Sequence, residues 1–444
     1  MQSTLPADGL TMAAGDEDEE SVFGKITRRI IPILFLCLVL NFVDRINIGF
    51  AQLQMKHALG FSDAVYGLGA GIFFIGYFFF EVPSNLILQR IGARKTILRI
   101  MFCWGIVSAS TMFVQTPMQF YVVRFLLGAF EAGLLPGILL YLTFWFPKAR
   151  RAKVIGLFMA ATSVGGIITG PVSGWILHNM GGVGGLDGWQ WLFLIEGLPS
   201  SIMGVFTYFY LDDDVKSARW LSQREKRTVV DVLARDEADE DRAAPSVWAA
   251  FKDLKVWLFS LVYMMVLSGA NVTSLWTPSL IKGMGISNTV HIGLLSTLPY
   301  IAGGLGMIFY GRRSDRRGER RWHFAVAVMA GAVCLALAQT PAMPLAFSML
   351  FLSLAVGGNV AGLPVFWAAA TSHLSRQTAA AGIAIISSVG NLSGILAPAG
   401  VGALATATGK LSYGMFACAT VVAASGIVLL LTVPEQHRHS SKSD

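Results

Sequence analysis

Four charged side chains interrupt stretches that are otherwise suited to lipid. Asp44 and Arg45 fall within IPILFLCLVLNFVDRINIGF (31–50), and Arg124 and Glu131 within FYVVRFLLGAFEAGLLPGILLYLTFW (120–145). Inserting one such charge at mid-bilayer costs roughly 2.5–3.5 kcal/mol, so four approach about 12 kcal/mol. A chain keeps groups of this kind when they pair with each other, face a watery cavity or handle ions. Arginine stays charged at any physiological pH and grips a carboxylate through two parallel hydrogen bonds. A carboxyl shielded from water takes up a proton nearer neutral pH than a solvated one. Arg124 and Glu131 are seven residues apart and share a helix face, with Gly128 between them leaving space. Adjacent Asp44 and Arg45 diverge by about 100° around a helix and can serve different neighbours.

The elements that must position these groups are membrane helices. Hydrophobic residues make up 54% of the chain and charged residues 14%. Apolar stretches of bilayer-spanning length recur at 27–51, 63–88, 97–115, 118–142, 152–178, 189–211, 256–280, 291–310, 322–340, 343–371, 378–405 and 411–433. In lipid a helix satisfies its own backbone hydrogen bonds. The expected fold is therefore an all-α membrane protein with twelve transmembrane helices. The net charge of +7 does not imply nucleic acid, because of where the charge lies. One set of loops carries about eighteen Lys and Arg and the other about three, the positive-inside bias. The rich set includes Arg90, Arg94, Lys148–Lys153 and the run from Arg312 to Arg321, so both termini are expected on the cytoplasmic side. Cys37, Cys103, Cys334 and Cys418 all lie in apolar segments and read as small core residues.

Residues 1–24 are acidic and read as a disordered cytoplasmic tail. Residues 25–211 form one six-helix bundle, 212–255 a polar cytoplasmic linker, 256–433 a second bundle and 434–444 a cytoplasmic tail. The halves echo each other. QRIGARK (89–95) matches DRRGERR (315–321) at an offset of about 226 residues, and TGPVSG (169–174) loosely matches APAGVG (397–402). The same offset carries Asp44 to Asn271 or its neighbour. Pseudo-symmetric repeats of membrane helices around a central site are the architecture of secondary transporters. No HExxH, nucleophile elbow, phosphate-binding loop or metal-spaced Cys/His set occurs, so neither an enzyme nor a metal site is expected.

Together these features resemble the major facilitator superfamily. The loop motif of that superfamily is matched by PSNLILQRIGARK (83–95), with Gln89 in place of the usual Asp, and by GRRSDRRGERR (311–321). The resemblance implies a conformational latch of Arg90, Arg94, Asp315 and Arg316, with the first copy leaning on other groups because of Gln89. A narrower resemblance is to the anion:cation symporter family. It rests on NFVDRINIGFA (41–51), FEVPSNLIL (80–88), RFLLGAFEAGLLPG (124–137), WFPKARRAK (145–153), GWQWLFLIEGLPS (188–200) and GNLSG (390–394). It implies proton-coupling carboxylates at Asp44 and Glu131, substrate-contacting arginines at Arg45 and Arg124, and further substrate contacts at Tyr77 and Asn391. Asn271 and Trp367, with Trp276 and Asn359 behind them, are added as polar or amphipathic groups in C-terminal segments that carry almost no charge. Glu81 and Glu196 are assigned structural roles.

The two arginines and two acids sum to zero when ionised. One proton leaves a site suited to a monoanion and two a site suited to a dianion, which couples proton and anion electrostatically. The resulting expectation is a proton-coupled symporter importing a hydroxy-dicarboxylate such as tartrate, a sugar acid or an aromatic acid such as phthalate. It would use the proton as coupling ion and no other cofactor, and would act as a monomer in a bacterial inner membrane. The competing reading is a drug/proton antiporter, suggested by GIITGPVSGW (166–175); for that run the plain alternative is close helix packing.

Overall fold

Long apolar runs with few charges leave the backbone one way to satisfy its own polar groups, and the chain takes it throughout. A computed structural model describes residues 8–238, 247–374 and 379–432. The N-terminal half comprises α1 (Asp8–Leu59), α2 (Asp63–Ile91), α3 (Ala93–Ser110), α4 (Pro117–Glu131), α5 (Leu134–Thr143), α6 (Lys148–Asn179) and α7 (Gly188–Tyr210). The linker carries α8 (Gln223–Ala238) and α9 (Val247–Lys252). The C-terminal half comprises α10 (Leu254–Gly283), α11 (Thr289–Arg317), α12 (Arg321–Leu337), α13 (Leu345–His373), α14 (Ala379–Asn391), α15 (Ser393–Thr408) and α16 (Leu411–Thr432). Eleven helical spans are long and apolar enough to cross a membrane, and the shorter apolar helix Arg321–Leu337 makes a twelfth pass. Large apolar side chains point outward around the molecule, as at Phe79, Val82, Phe209 and Leu431, which suits a lipid surround.

Two spans expected to be continuous are broken. The fourth is interrupted at Ala132–Gly133, where Gly133 takes a left-handed conformation (φ 89°) favoured by glycine, and Glu131 ends the first piece. The eleventh is interrupted at Leu392, immediately after Asn391. The N-terminal expectation also changes. α1 runs back to Asp8, into the segment expected to be disordered, and Glu19 and Glu20 form ion pairs with Arg150 at 3.3 and 2.7 Å. Residues 1–7 and the tail 434–444 lie outside the described residues.

The halves meet along equivalent seams. α6 packs on α11 and α2 packs on α15, with α1 beside α10. Glycine makes the first two possible. A Cβ on Gly170 would collide with the Gly293 carbonyl, and one on Gly67 with the Pro398 carbonyl. The loosely repeated patches 169–174 and 397–402 therefore seal corresponding joints. These seams lie toward the face remote from Arg90–Lys95 and Arg312–Arg321. At that basic face the halves part, and a cleft of about 300 Å³ opens between α2 and α14. Glu81, Asn85, Gln89, Ser387, Ser388 and Asn391 line it. The linker is tied to the basic face: the Lys25 ammonium donates to Glu225 at 2.9 Å and holds that carboxyl below its usual pKa range.

Candidate functional site

The charged groups of the first paragraph gather in the N-terminal half, partnered differently from their sequence spacing. Asp44 and Arg45 diverge around α1. The Asp44 carboxylate turns toward α3, accepts from Trp104 Nε1 at 2.7 Å and from the Ser108 hydroxyl, and takes a third hydrogen bond from Asn47 Nδ2 at 3.2 Å. Trp104 and Ser108 are four apart and so share a face of α3. Asp44 is thus fully buried by neutral donors. Arg45 turns the other way and its Nε donates to Glu131 Oε1, forming an ion pair. Glu131 is fully buried, whereas the Arg45 side chain keeps 29% of its surface exposed. One end of this pair is dry and the other open.

α2 supplies the floor. The Arg45 guanidinium lies 5.5 Å from the Phe73 ring centroid and 5.0 Å from that of Tyr77. The Arg124 guanidinium lies 4.9 Å from the same Phe73 ring, so one aromatic ring serves both cations. α2 can come this close because a Cβ on Gly128 would strike the Phe73 carbonyl. Gly128 does leave space between Arg124 and Glu131, and the α2 backbone fills it. Arg124 is buried and its Nε donates to the Gly69 carbonyl at 3.4 Å. Among the described residues it forms no ion pair, which leaves its terminal amino groups free to take a carboxylate from outside.

The remaining expected residues are scattered. Asn271 Nδ2 donates to Ser393 Oγ at 3.0 Å, joining α10 to α15 inside the C-terminal half. Asn391 lines the basic-face cleft. Trp367 packs edge-on against Tyr263 at 4.9 Å and beside Phe366, and its ring contacts are all to C-terminal aromatics. Trp276 is fully buried and meets Tyr66 of α2 at 5.3 Å, on the seam between halves. Asn359 is buried in the C-terminal half. Among the described residues the four latch residues form no ion pair with one another. Arg94 donates its backbone N–H to Asp213 Oδ1 at 2.9 Å and its Nε to the Tyr208 carbonyl at 3.0 Å, so Asp213 caps the start of α3. Arg90, Asp315 and Arg316 are exposed and form no ion pair among the described residues, as follows from the separation of the halves at this face.

Residues 34–398 match the Major Facilitator Superfamily, and a second match covers 287–444. The chain belongs to the Major Facilitator Superfamily. A relative from Agrobacterium vitis, described as a "Putative tartrate transporter", is 44% identical over 420 residues, covering 94% of this chain and 96% of its own. A "Quinolone resistance transporter" from Acinetobacter baumannii is 38% identical over 419 residues, covering 94% and 95%. In fold, the chain is similar to the xylose transporter XylE from E. coli in a partially occluded inward open conformation, with a TM-score of 0.72 at 14% identity over 92% of this chain and 98% of that one. This Major Facilitator chain is a membrane transporter and not an enzyme.

Sequence reasoning missed several members of the site. Phe73 was one aromatic among many in FFIGYFFF (73–80), with nothing local to single it out. Trp104 and Ser108 were readable as polar atoms spaced four apart in an apolar helix. Glu196 is buried on α7, accepts from Ser173 Oγ at 2.7 Å, and lies within electrostatic reach of Asp44. With Glu81, it makes four carboxyls against two arginines in the N-terminal interior, where the sequence count used two against two.

Proposed function

We propose that this transporter imports a small organic anion together with protons by alternating access, and that the basic face is its cytoplasmic side. The observation that carries the reading is the split ion pair: a dry Glu131 held by a half-open Arg45, with Arg124 unpaired beside it across Phe73. A carboxylate entering between the guanidiniums competes with Glu131 for Arg45. Protonating Glu131 removes that competition, so a proton on the acid and an anion on the arginine favour each other. Asp44, held by neutral donors, is the second coupling site. Arg45 and Arg124 grip the substrate, with Tyr77 beside Arg45. Asn391, Asn271 and Trp367 meet the far end when the C-terminal half closes on it.

The basic loops favour the cytoplasm by the positive-inside bias, and a bacterial inner membrane fits this topology. The substrate class is a hydroxy-dicarboxylate such as tartrate, a sugar acid or an aromatic acid. The similarity to a relative described as a tartrate transporter supports the first of these. The protein acts as a monomer, with the proton as its coupling ion. Uptake of labelled L-tartrate, D-galacturonate and phthalate into proteoliposomes tests the reading. Accumulation should follow an imposed acid-outside gradient and collapse with a protonophore; uptake indifferent to both would refute it.

The second reading, export of a drug in exchange for protons, is favoured by the similarity to the quinolone resistance transporter. Arg124 without an ion pair, beside the partly open Arg45, opposes a cationic ligand at this site, and the glycines of GIITGPVSGW serve a helix seam. Proton-driven efflux of a quinolone from the same vesicles, without uptake of any of the three acids, would select it.

A further inference from the structure

Glu81 was expected to be structural, yet it lines the open cleft and lies within electrostatic reach of the guanidinium that grips Glu131. It follows Tyr77 by four residues on α2, so the two share a helix face. On one side, Tyr77 lies within electrostatic reach of Glu81, Arg45 and Glu131 together, and Glu81 itself is within reach of Arg45. On the other side, Glu81 lines the basic-face cleft with Asn85, Gln89, Ser387, Ser388 and Asn391. The groups around it are therefore Arg45 from α1, which also holds Glu131 of α4, the neutral amide and hydroxyls of α14, and Tyr77, Asn85 and Gln89 of its own helix. Glu81 has no ion pair among the described residues. Glu131 is fully buried, and its Oε2 has no hydrogen-bond partner. A proton leaving Glu131 for the basic face needs an acceptor between that dry site and water.

We propose that Glu81 is this acceptor, the proton-release group that takes the proton from Glu131 and passes it into the cleft. The inference rests on the symport reading above and adds its exit step. Before the step Glu131 is a carboxylic acid and Glu81 a carboxylate. The proton moves from Glu131 to Glu81, leaving Glu131 as the carboxylate that Arg45 grips. Glu81 then gives the proton to water in the cleft and returns to its ionised form. One proton has crossed and no group has changed permanently. Arg45 is the shared counter-ion of the two acids, and its pairing with Glu131 in this structure corresponds to the state after transfer. The Tyr77 hydroxyl, which both donates and accepts, lies within electrostatic reach of both carboxyls and beside the Arg45 guanidinium.

The test uses full-length protein in proteoliposomes with the same three labelled acids, comparing wild type, Glu81→Gln and Glu81→Asp. Two assays are run: uphill accumulation under an acid gradient, and counterflow exchange of label into vesicles preloaded with unlabelled acid. Exchange returns substrate and proton together and needs no release, whereas accumulation needs release on every cycle. Glu81→Gln should lower accumulation by roughly tenfold or more. It should leave counterflow within about twofold of wild type, which separates the step from substrate binding. Glu81→Asp should restore most of the accumulation. Glu81→Gln protein that accumulates like wild type overturns the proposal. So does a parallel loss of counterflow in both variants, which would mark Glu81 as structural or substrate-binding. Wild-type protein that exchanges label but never accumulates it overturns the symport reading itself, and this inference with it.

Discussion

Replacing Gly170 with alanine adds one methyl group at a close approach of the α6–α11 seam, where the new Cβ would collide with the backbone carbonyl of Gly293. A carbonyl cannot rotate aside as a side chain can, so either the seam widens or the helices shift. Overpacking of this kind costs about 1–3 kcal/mol. The state with this seam closed should bear that cost alone, because the contact disappears when the face opens. A bias of about 1–3 kcal/mol changes the ratio of the two states by roughly 5–150-fold. Gly156 on the same helix provides the control, since nothing lies within 4 Å of a Cβ there. Ser296 of α11 is buried at the seam, with its Cβ 3.5 Å from where that methyl would sit, and Ser296→Cys makes it a reporter. In a background lacking the partly exposed Cys103 and Cys334, a membrane-impermeant maleimide should label Cys at 296 faster in Gly170→Ala than in Gly156→Ala. Equal labelling rates would show that this seam does not set the balance between conformations.

Other perturbations test the site and its supports. Glu131→Gln removes the competitor for Arg45, so counterflow of the labelled acids should persist while dependence on the proton gradient disappears; retained gradient-driven accumulation would exclude Glu131 as a coupling group. Asp44→Asn puts an amide among three hydrogen-bond donors and should lower stability in detergent by about 1–3 kcal/mol, measured by thermal denaturation; an unchanged melt would show that the Trp104 and Ser108 contacts carry no net energy. Asp213→Ala takes away the acceptor for the backbone N–H of Arg94 at the start of α3 and should cost about 0.5–2 kcal/mol in the same assay, as loss of a helix cap does. Phe73→Leu removes the ring shared by both arginines and should weaken binding of each acid, read as a raised KM, more than Phe74→Leu does.

The fold was legible because lipid leaves few choices. Span lengths, the polar linker and the Gly-rich loop echoes all follow from burying backbone in hydrocarbon, and twelve passes resulted. The breaks after Glu131 and Asn391 were not resolved, although Gly133 and Pro136 stood in the sequence. A broken and a continuous span have nearly the same hydropathy, and only packing against α2 decides between them. The charged residues were equally visible, but their partners were not. Spacing within one helix put Arg124 and Glu131 on one face, whereas Glu131 pairs with Arg45 from another helix. Such pairing depends on how α1, α2 and α4 rotate about their axes, which no single helix encodes. Asp213 was hidden for a different reason: it lies in the acidic run 212–214, and its role appears only when the linker folds back on the start of α3.

The interruption between α4 and α5 has a mechanical consequence. Arg124 and Glu131 stand on one rigid segment, and the chain pivots only after the acid, at a glycine whose φ of 89° side chains rarely tolerate. Leu134–Thr143 can therefore tilt with the basic face while Arg124 and Glu131 keep their distance from each other. The binding geometry met by a solute arriving from outside would then be the one it leaves from inside, and stiffening Gly133 would slow the cycle without altering what is recognised.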